Sequence, residues 1–177
     1  QVIKLNDQEF LDLDQKLETE IVDKNYPTYF VSDYVTTSRK FPNTLWIGSG
    51  LEGLFKYDLT SGEYKKYVNT ELTNSVITYD EIYEDAKGLL WIIYGPSGFY
   101  RFDPVKESFV SNSSIPDLPI TAINSLIEDY NGNLWVSSSS GITKLMKQKD
   151  ESWTTTNFDS KDGVPGGFGR GNLITSS

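Results

Sequence analysis

The chain has 177 residues, with 16 Lys+Arg against 25 Asp+Glu, a formal charge of −9, and 37% hydrophobic and 14% aromatic residues. That length supports about one domain with a real core; the composition is too apolar and aromatic for a disordered chain, and the acidic balance argues against nucleic acid or an anionic membrane surface as partner. With no Cys and no His, the chain has no disulfides, no thiolate or imidazole metal ligands, no Cys nucleophile, no Ser-His-Asp triad and no phosphoacceptor histidine.

The sequence opens on Gln1 with no basic-then-apolar leader pattern, so a secretory signal is absent or already removed, and the Gln start points to a piece of something longer. No stretch approaches the roughly 18–20 apolar residues of a membrane span. Residues 1–22 predict two strands, Val2–Leu5 and Glu9–Leu13, around a turn at Asn6-Asp7-Gln8. They read as the second half of a four-stranded unit.

Residues 27–70 form the first full unit. It carries Leu45-Trp46-Ile47-Gly48, a small-residue loop to Glu52, and then Gly53-Leu54-Phe55-Lys56-Tyr57-Asp58. Residues 74–112 repeat it, with Glu84-Asp85, Gly88, Leu90-Trp91-Ile92-Ile93, Gly98-Phe99 and Tyr100-Arg101-Phe102-Asp103. Within this unit Asp85-Ala86-Lys87-Gly88 is turn chemistry, since Asp can bond its own backbone and Gly takes positive φ freely. Leu90–Tyr94 is β-branched and aromatic, as strands prefer. Phe99–Phe102 predicts a third strand and Ser108–Val110 a fourth.

Residues 119–158 form the third unit, with Glu128-Asp129, Asn131-Gly132, Leu134-Trp135-Val136-Ser137 and Gly141-Ile142. Its Thr143-Lys144-Leu145-Met146 replaces the aromatic-Asp ending, and the first unit lacks both Asp and Gly in its early turn. Residues 159–171 read as a Gly-rich loop, and residues 172–177 as the first strand of another unit. Trp46, Trp91 and Trp135 stand 45 and 44 residues apart.

Four short antiparallel strands in about 45 residues make the blade of a β-propeller. One such sheet cannot bury both faces, so blades stack, and the tryptophans read as plugs between them. The expected fold is all-β: three full blades with a partial blade at each end, read as an arc of a larger propeller rather than a closed four-bladed ring.

The string Glu84–Asp103, with its partial copies at 45–58 and 128–142, resembles the two-component regulator propeller repeat. Asp162-Gly163-Val164-Pro165 is similar to a segment that this family often shows late in a second propeller. The resemblance implies a periplasmic, extracytoplasmic ligand-sensing segment of a membrane-anchored hybrid histidine kinase-type receptor that works as a homodimer. It also implies sensing of glycan fragments.

Ligand is expected at one end of the blades, where the second-to-third-strand loops and the inter-blade links gather. The candidate ligand-binding residues are Glu52, Tyr94, Ser97, Ser139 and Arg170. Tyr94 stands where the other units have small residues and offers a flat ring with a polar tip. The Ser137–Ser140 run offers hydroxyls, and Arg170 could clamp a carboxylate. No catalytic residue, metal ligand or cofactor is expected: the Asp85 and Asp129 spacing does not match a calcium loop. A propeller lyase or glycosidase and a protein–protein scaffold are the rival readings. The lyase is weakened by the lack of a His base.

Overall fold

The computed structural model describes residues 33–50, 52–69, 78–94, 98–110, 115 and 123–164. The strands expected at 1–22 and 172–177, and the candidates Ser97 and Arg170, lie outside the described residues. Among these residues twelve strands form three sheets, each a four-stranded antiparallel meander in chain order. The first sheet holds β1 (Tyr34–Thr37), β2 (Thr44–Ser49), β3 (Gly53–Asp58) and β4 (Tyr64–Tyr67). The second holds β5 (Tyr79–Glu84), β6 (Leu90–Tyr94), β7 (Gly98–Asp103) and β8 (Ser108–Val110). The third holds β9 (Ile123–Glu128), β10 (Leu134–Ser138), β11 (Gly141–Lys147) and β12 (Trp153–Phe158). Where sequence predicted only a Gly-rich loop, Ser160–Asp162 make one 3-10 turn, capped by Asp159, whose side chain accepts from Lys161 N.

The second strand is the most buried of each sheet, and in the second sheet β6 has a described sheet packed on either side. All six residues of β2 are buried. Such strands read as continuous apolar runs rather than as alternation. At the first seam Trp46, Leu54 and Tyr67 meet Tyr79, Ile82, Leu90, Ile92 and Phe102 of the second sheet. At the second seam Trp91, Ile93 and Phe99 meet Leu126, Leu134, Val136, Leu145 and Trp153 of the third. Most of these positions correspond between the two seams, but Trp153, at the start of β12, has no counterpart in the first.

Each of the first two tryptophans points into the sheet that follows. Trp46 meets Phe102 edge-on at 5.8 Å, and Trp91 meets Trp153 edge-on at 5.6 Å. Both are 0% exposed. Trp135 is half-buried and stacks on Phe158 of its own sheet at 5.9 Å.

Gly48 sets the spacing of the first seam. A Cβ there would stand 2.5–2.6 Å from Cδ1, Cγ and Cβ of Tyr79. The corresponding pair in the second seam is Ile93 against Ile123, both in one cluster, so bulk has moved from one side of the seam to the other. Gly48→Ala should therefore cost about 1–3 kcal/mol by overpacking. A denaturant midpoint unchanged from the parent would refute the close fit.

Candidate functional site

The hairpin ends of the second and third strands hold the described candidates. Glu52 sits in the turn between β2 and β3, half-buried, and pairs with Lys66 on β4. Lys66 Nζ also lies 5.8 Å from the Phe55 ring centroid. Tyr94 ends β6, half-buried, its ring stacked on Tyr100 at 4.6 Å and 18°. Ser139 is exposed at the β10–β11 turn, between Ser138 and Ser140, whose hydroxyls lie 2.9 Å apart. The three occupy corresponding hairpins of successive sheets. Glu52 pairs, and Tyr94 stacks, with a residue of its own sheet.

The opposite end of the sheets carries a network that sequence reading saw only as turns. Asp85 Oδ1 accepts from Lys87 N and Leu89 N at 2.9 Å, and Oδ2 accepts from Trp91 Nε1 at 3.0 Å. Asp129 repeats this: Oδ1 accepts from Asn131 N and Asn133 N, and Oδ2 from Trp135 Nε1 at 2.9 Å. The Asp that forms the turn thus also anchors the indole of its own sheet. A cation completes each unit from the neighbouring third strand: Lys56, Arg101 and Lys144 pair in register with Trp46, Trp91 and Trp135. They lie 5.9, 5.5 and 5.1 Å from the respective rings.

The preceding glutamate joins sheets. Glu84 accepts from Arg39 N and Lys40 N of the first sheet's turn at 2.8 and 3.0 Å. Glu128 accepts from Ala86 N of the second sheet's turn at 2.7 Å. Further along the second seam Glu81 accepts from Leu126 N at 3.3 Å, and burial pushes its carboxyl up. The first turn lacks the Asp, and Ser38 stands in its place, its hydroxyl accepting from Phe41 N at 3.0 Å. Trp46 Nε1 is consequently buried with no acceptor among the described residues. The left-handed position that Gly88 and Gly132 fill at φ 83° and 76° is taken here by Asn43 at φ 57°, a residue that tolerates that region.

The third sheet's turn responds to pH through Asp129. Burial raises the Asp129 carboxyl, but the bonds from Asn133, Trp135 and Asn131 outweigh it and hold the pKa at about 2, against an ordinary 3.8. A folded value below the unfolded one stabilises above the unfolded value, about pH 4, and the contribution fades as pH falls toward the folded value. The difference in thermal midpoint between the protein and Asp129→Asn should be widest above that pH and close on acidification. A constant gap would show the bonds to be unimportant.

Comparison with known proteins bears on both ends. Residues 117–140, which span β9, the Asp129 turn and β10, match the family described as "Two component regulator propeller". Over those residues the repeat matches that family. No curated protein matches the chain. Among solved structures, the extracellular domain of BT4673 from B. thetaiotaomicron appears twice. In one it is described as a one component system, with 25% identity, TM-score 0.51, 71% of this chain and 18% of that one. In the other it is described as a hybrid two component system, with 24% identity, TM-score 0.55, 78% of this chain and 19% of that one. The extracellular domain of BT3049 from the same organism, also described as a hybrid two component system, gives 24%, TM-score 0.54, 75% of this chain and 17% of that one. A streptogramin B lyase shares the fold at 16% identity and TM-score 0.51, over 70% of this chain and 39% of the lyase.

This propeller segment therefore spans less than a fifth of the extracellular domains it resembles. Their extracellular placement agrees with the location expected from the repeat. The all-β propeller reading is likewise supported, by three four-stranded antiparallel sheets. Among the described residues no three carboxylates gather as metal ligands would.

Proposed function

We propose that this chain is part of the extracytoplasmic ligand-binding region of a membrane-anchored two-component receptor, and that it binds rather than catalyses. The observation that carries this reading is the family match at residues 117–140, in a chain whose neighbours include extracellular domains of such systems. The blades are an arc of a larger propeller in a homodimeric receptor. A two-state arrangement of that dimer would be biased by whatever ligand distinguishes its states.

The ligand lies at the hairpin end, on Glu52, Tyr94 and Ser139, with Ser97 and Arg170 as the candidates that fall outside the described residues, and is an oligosaccharide or another small polar molecule. The Tyr94–Tyr100 stack supports this placement, since a half-buried ring pair offers a flat apolar platform with hydroxyl tips. A thermal-shift screen against oligosaccharides tests it: a ligand at one hundred times its Kd should stabilise the fold by about 2.7 kcal/mol. Tyr94→Ala should abolish that shift while leaving the unliganded midpoint within about 1 kcal/mol of the parent. Turnover of the oligosaccharides, or an undiminished shift in the variant, would count against the reading.

A further inference from the structure

The three sheets treat their last strands differently. The first strands, β1, β5 and β9, lie against one another across the seams; the last strands, β4, β8 and β12, each stand at the other end of a sheet. A strand in that place leaves every second amide and carbonyl without a ladder partner, and proteins ordinarily shield such an edge with a short strand or with lysine. The first edge, β4, has four residues, of which two are Lys65 and Lys66. The second, β8, has three. These two edges are also tied to each other: Lys65 pairs with Glu107, next to β8, and Tyr67 Oη donates to Glu107 Oε1 at 2.9 Å. The third edge, β12, has six residues, Trp-Thr-Thr-Thr-Asn-Phe, with no charge, no proline and no bulge in its register with β11. Thr154, Thr156 and Asn157 are exposed.

The register says which groups of β12 face outward. The hairpin from β11 closes with Gln148 N donating to Ser152 O. An antiparallel ladder alternates from there. Thr154, Thr156 and Phe158 turn their amides and carbonyls to β11, while Trp153, Thr155 and Asn157 turn theirs away from the sheet. Those three amides take no backbone partner among the described residues. The side chains on either side are tied back to their own sheet. Gln148 Nε2 donates to Thr154 Oγ1 at 2.8 Å, and Thr143 Oγ1 donates to Asn157 Oδ1 at 2.7 Å.

We propose that β12 is the interaction surface for a second copy of this chain, the two strands running antiparallel about a two-fold axis at Thr155. Thr155 then faces Thr155 of the partner subunit, and Trp153 faces Asn157 of the partner subunit. Each outward residue donates and accepts one backbone bond, so the two sheets join into one. The strand is its own complement. Thr meets Thr, a cross-strand pair that stabilises a sheet, and no like charges come face to face. The two lysines of β4 forbid the same pairing there. A two-fold contact closes after two copies, so this edge ends in a dimer and not in a filament. The pairing rests on the homodimer of the proposed function and gives it a surface; it uses none of the hairpin-end ligand residues.

Disulfide trapping tests it, because the chain has no cysteine of its own. In this register Thr154 stands directly opposite Thr156 of the partner subunit, in the kind of pair whose side chains lie closest, within reach of a disulfide. A mixture of Thr154→Cys and Thr156→Cys chains should oxidise to a cross-linked dimer several-fold more than either variant alone, whose cysteines stand on a diagonal. Thr155→Pro deletes one outward amide and leaves the ladder with β11 whole. Placed in both chains, it should abolish the cross-link while circular dichroism stays unchanged. Thr155→Lys sets like charges face to face and should do the same without touching the backbone. A mixture that cross-links no more than the single variants, or a cross-link that survives Thr155→Lys, would overturn the proposal. The thermal shift with oligosaccharides reads the ligand site separately, so a failed cross-link and a failed ligand are told apart.

Discussion

Replacing Trp91 with alanine should destabilise the fold by about 3–5 kcal/mol, the range for removing a large buried aromatic and leaving a cavity. The indole is 0% exposed and contacts Phe99, Trp153 and Arg101. Its loss also takes away the donor at Asp85 Oδ2. The three tryptophans then form a graded series. Trp46→Ala removes a similarly buried ring but no hydrogen bond, so it should cost less than Trp91→Ala by about 1–3 kcal/mol, the worth of a bond to a charged acceptor. Trp135→Ala keeps the hydrogen-bond loss but gives up only a half-buried ring, and should cost least in packing. Urea unfolding with unchanged slopes checks the order. If Trp91→Ala folded normally yet lost ligand, the indole would be a binding residue and the seam would owe little to it.

The period of the indoles was legible because a blade's second strand is its most buried, which confines Leu-Trp-apolar runs to that strand. The turn at Asp85 was legible because Asx and Gly chemistry is local. The bond from Asp85 to Trp91 was also within reach of sequence: Asp and Trp keep a six-residue separation in the second and third units. The role of Glu84 was harder to see, since its partners Arg39 and Lys40 lie 45 and 44 residues away and are backbone amides, which carry no side-chain signature. The aligned Glu-Asp pairs were the available signal. Asn43 taking a glycine's place depends on loop length, which shows only once the strand register fixes both ends. At the hairpin end, Tyr94 stood out from the small residues of the other units, but its stacking on Tyr100 follows from a diagonal cross-strand geometry that needs the register.

Glu84→Ala should cost about 2–4 kcal/mol, more than Glu128→Ala, although the two glutamates hold the same place in the repeat. The argument is one of unmet donors. Glu84 is 5% exposed and satisfies two backbone amides of the preceding sheet, whereas Glu128 satisfies one. Each partly buried amide left without an acceptor costs about 1–3 kcal/mol. The asymmetry follows from the defect next to it: the first turn has Ser38 where the others have Asp, so it cannot tie its own amides as the second and third turns do. The following sheet supplies both carboxylate oxygens instead, and the longer first turn, in which Ser38 N donates six residues on to Thr44 O where Asp85 N donates four residues on to Leu89 O, brings Arg39 and Lys40 within reach of them. Glu84→Gln, which keeps the shape but offers one acceptor oxygen, should fall between the parent and Glu84→Ala. Amide exchange gives the discriminating readout, because the protection of Arg39 and Lys40 should drop in the Glu84 variants while that of Ala86 holds. Equal costs for the two alanine variants, or unchanged exchange at Arg39 and Lys40, would show that the first seam is held by its aromatic contacts alone.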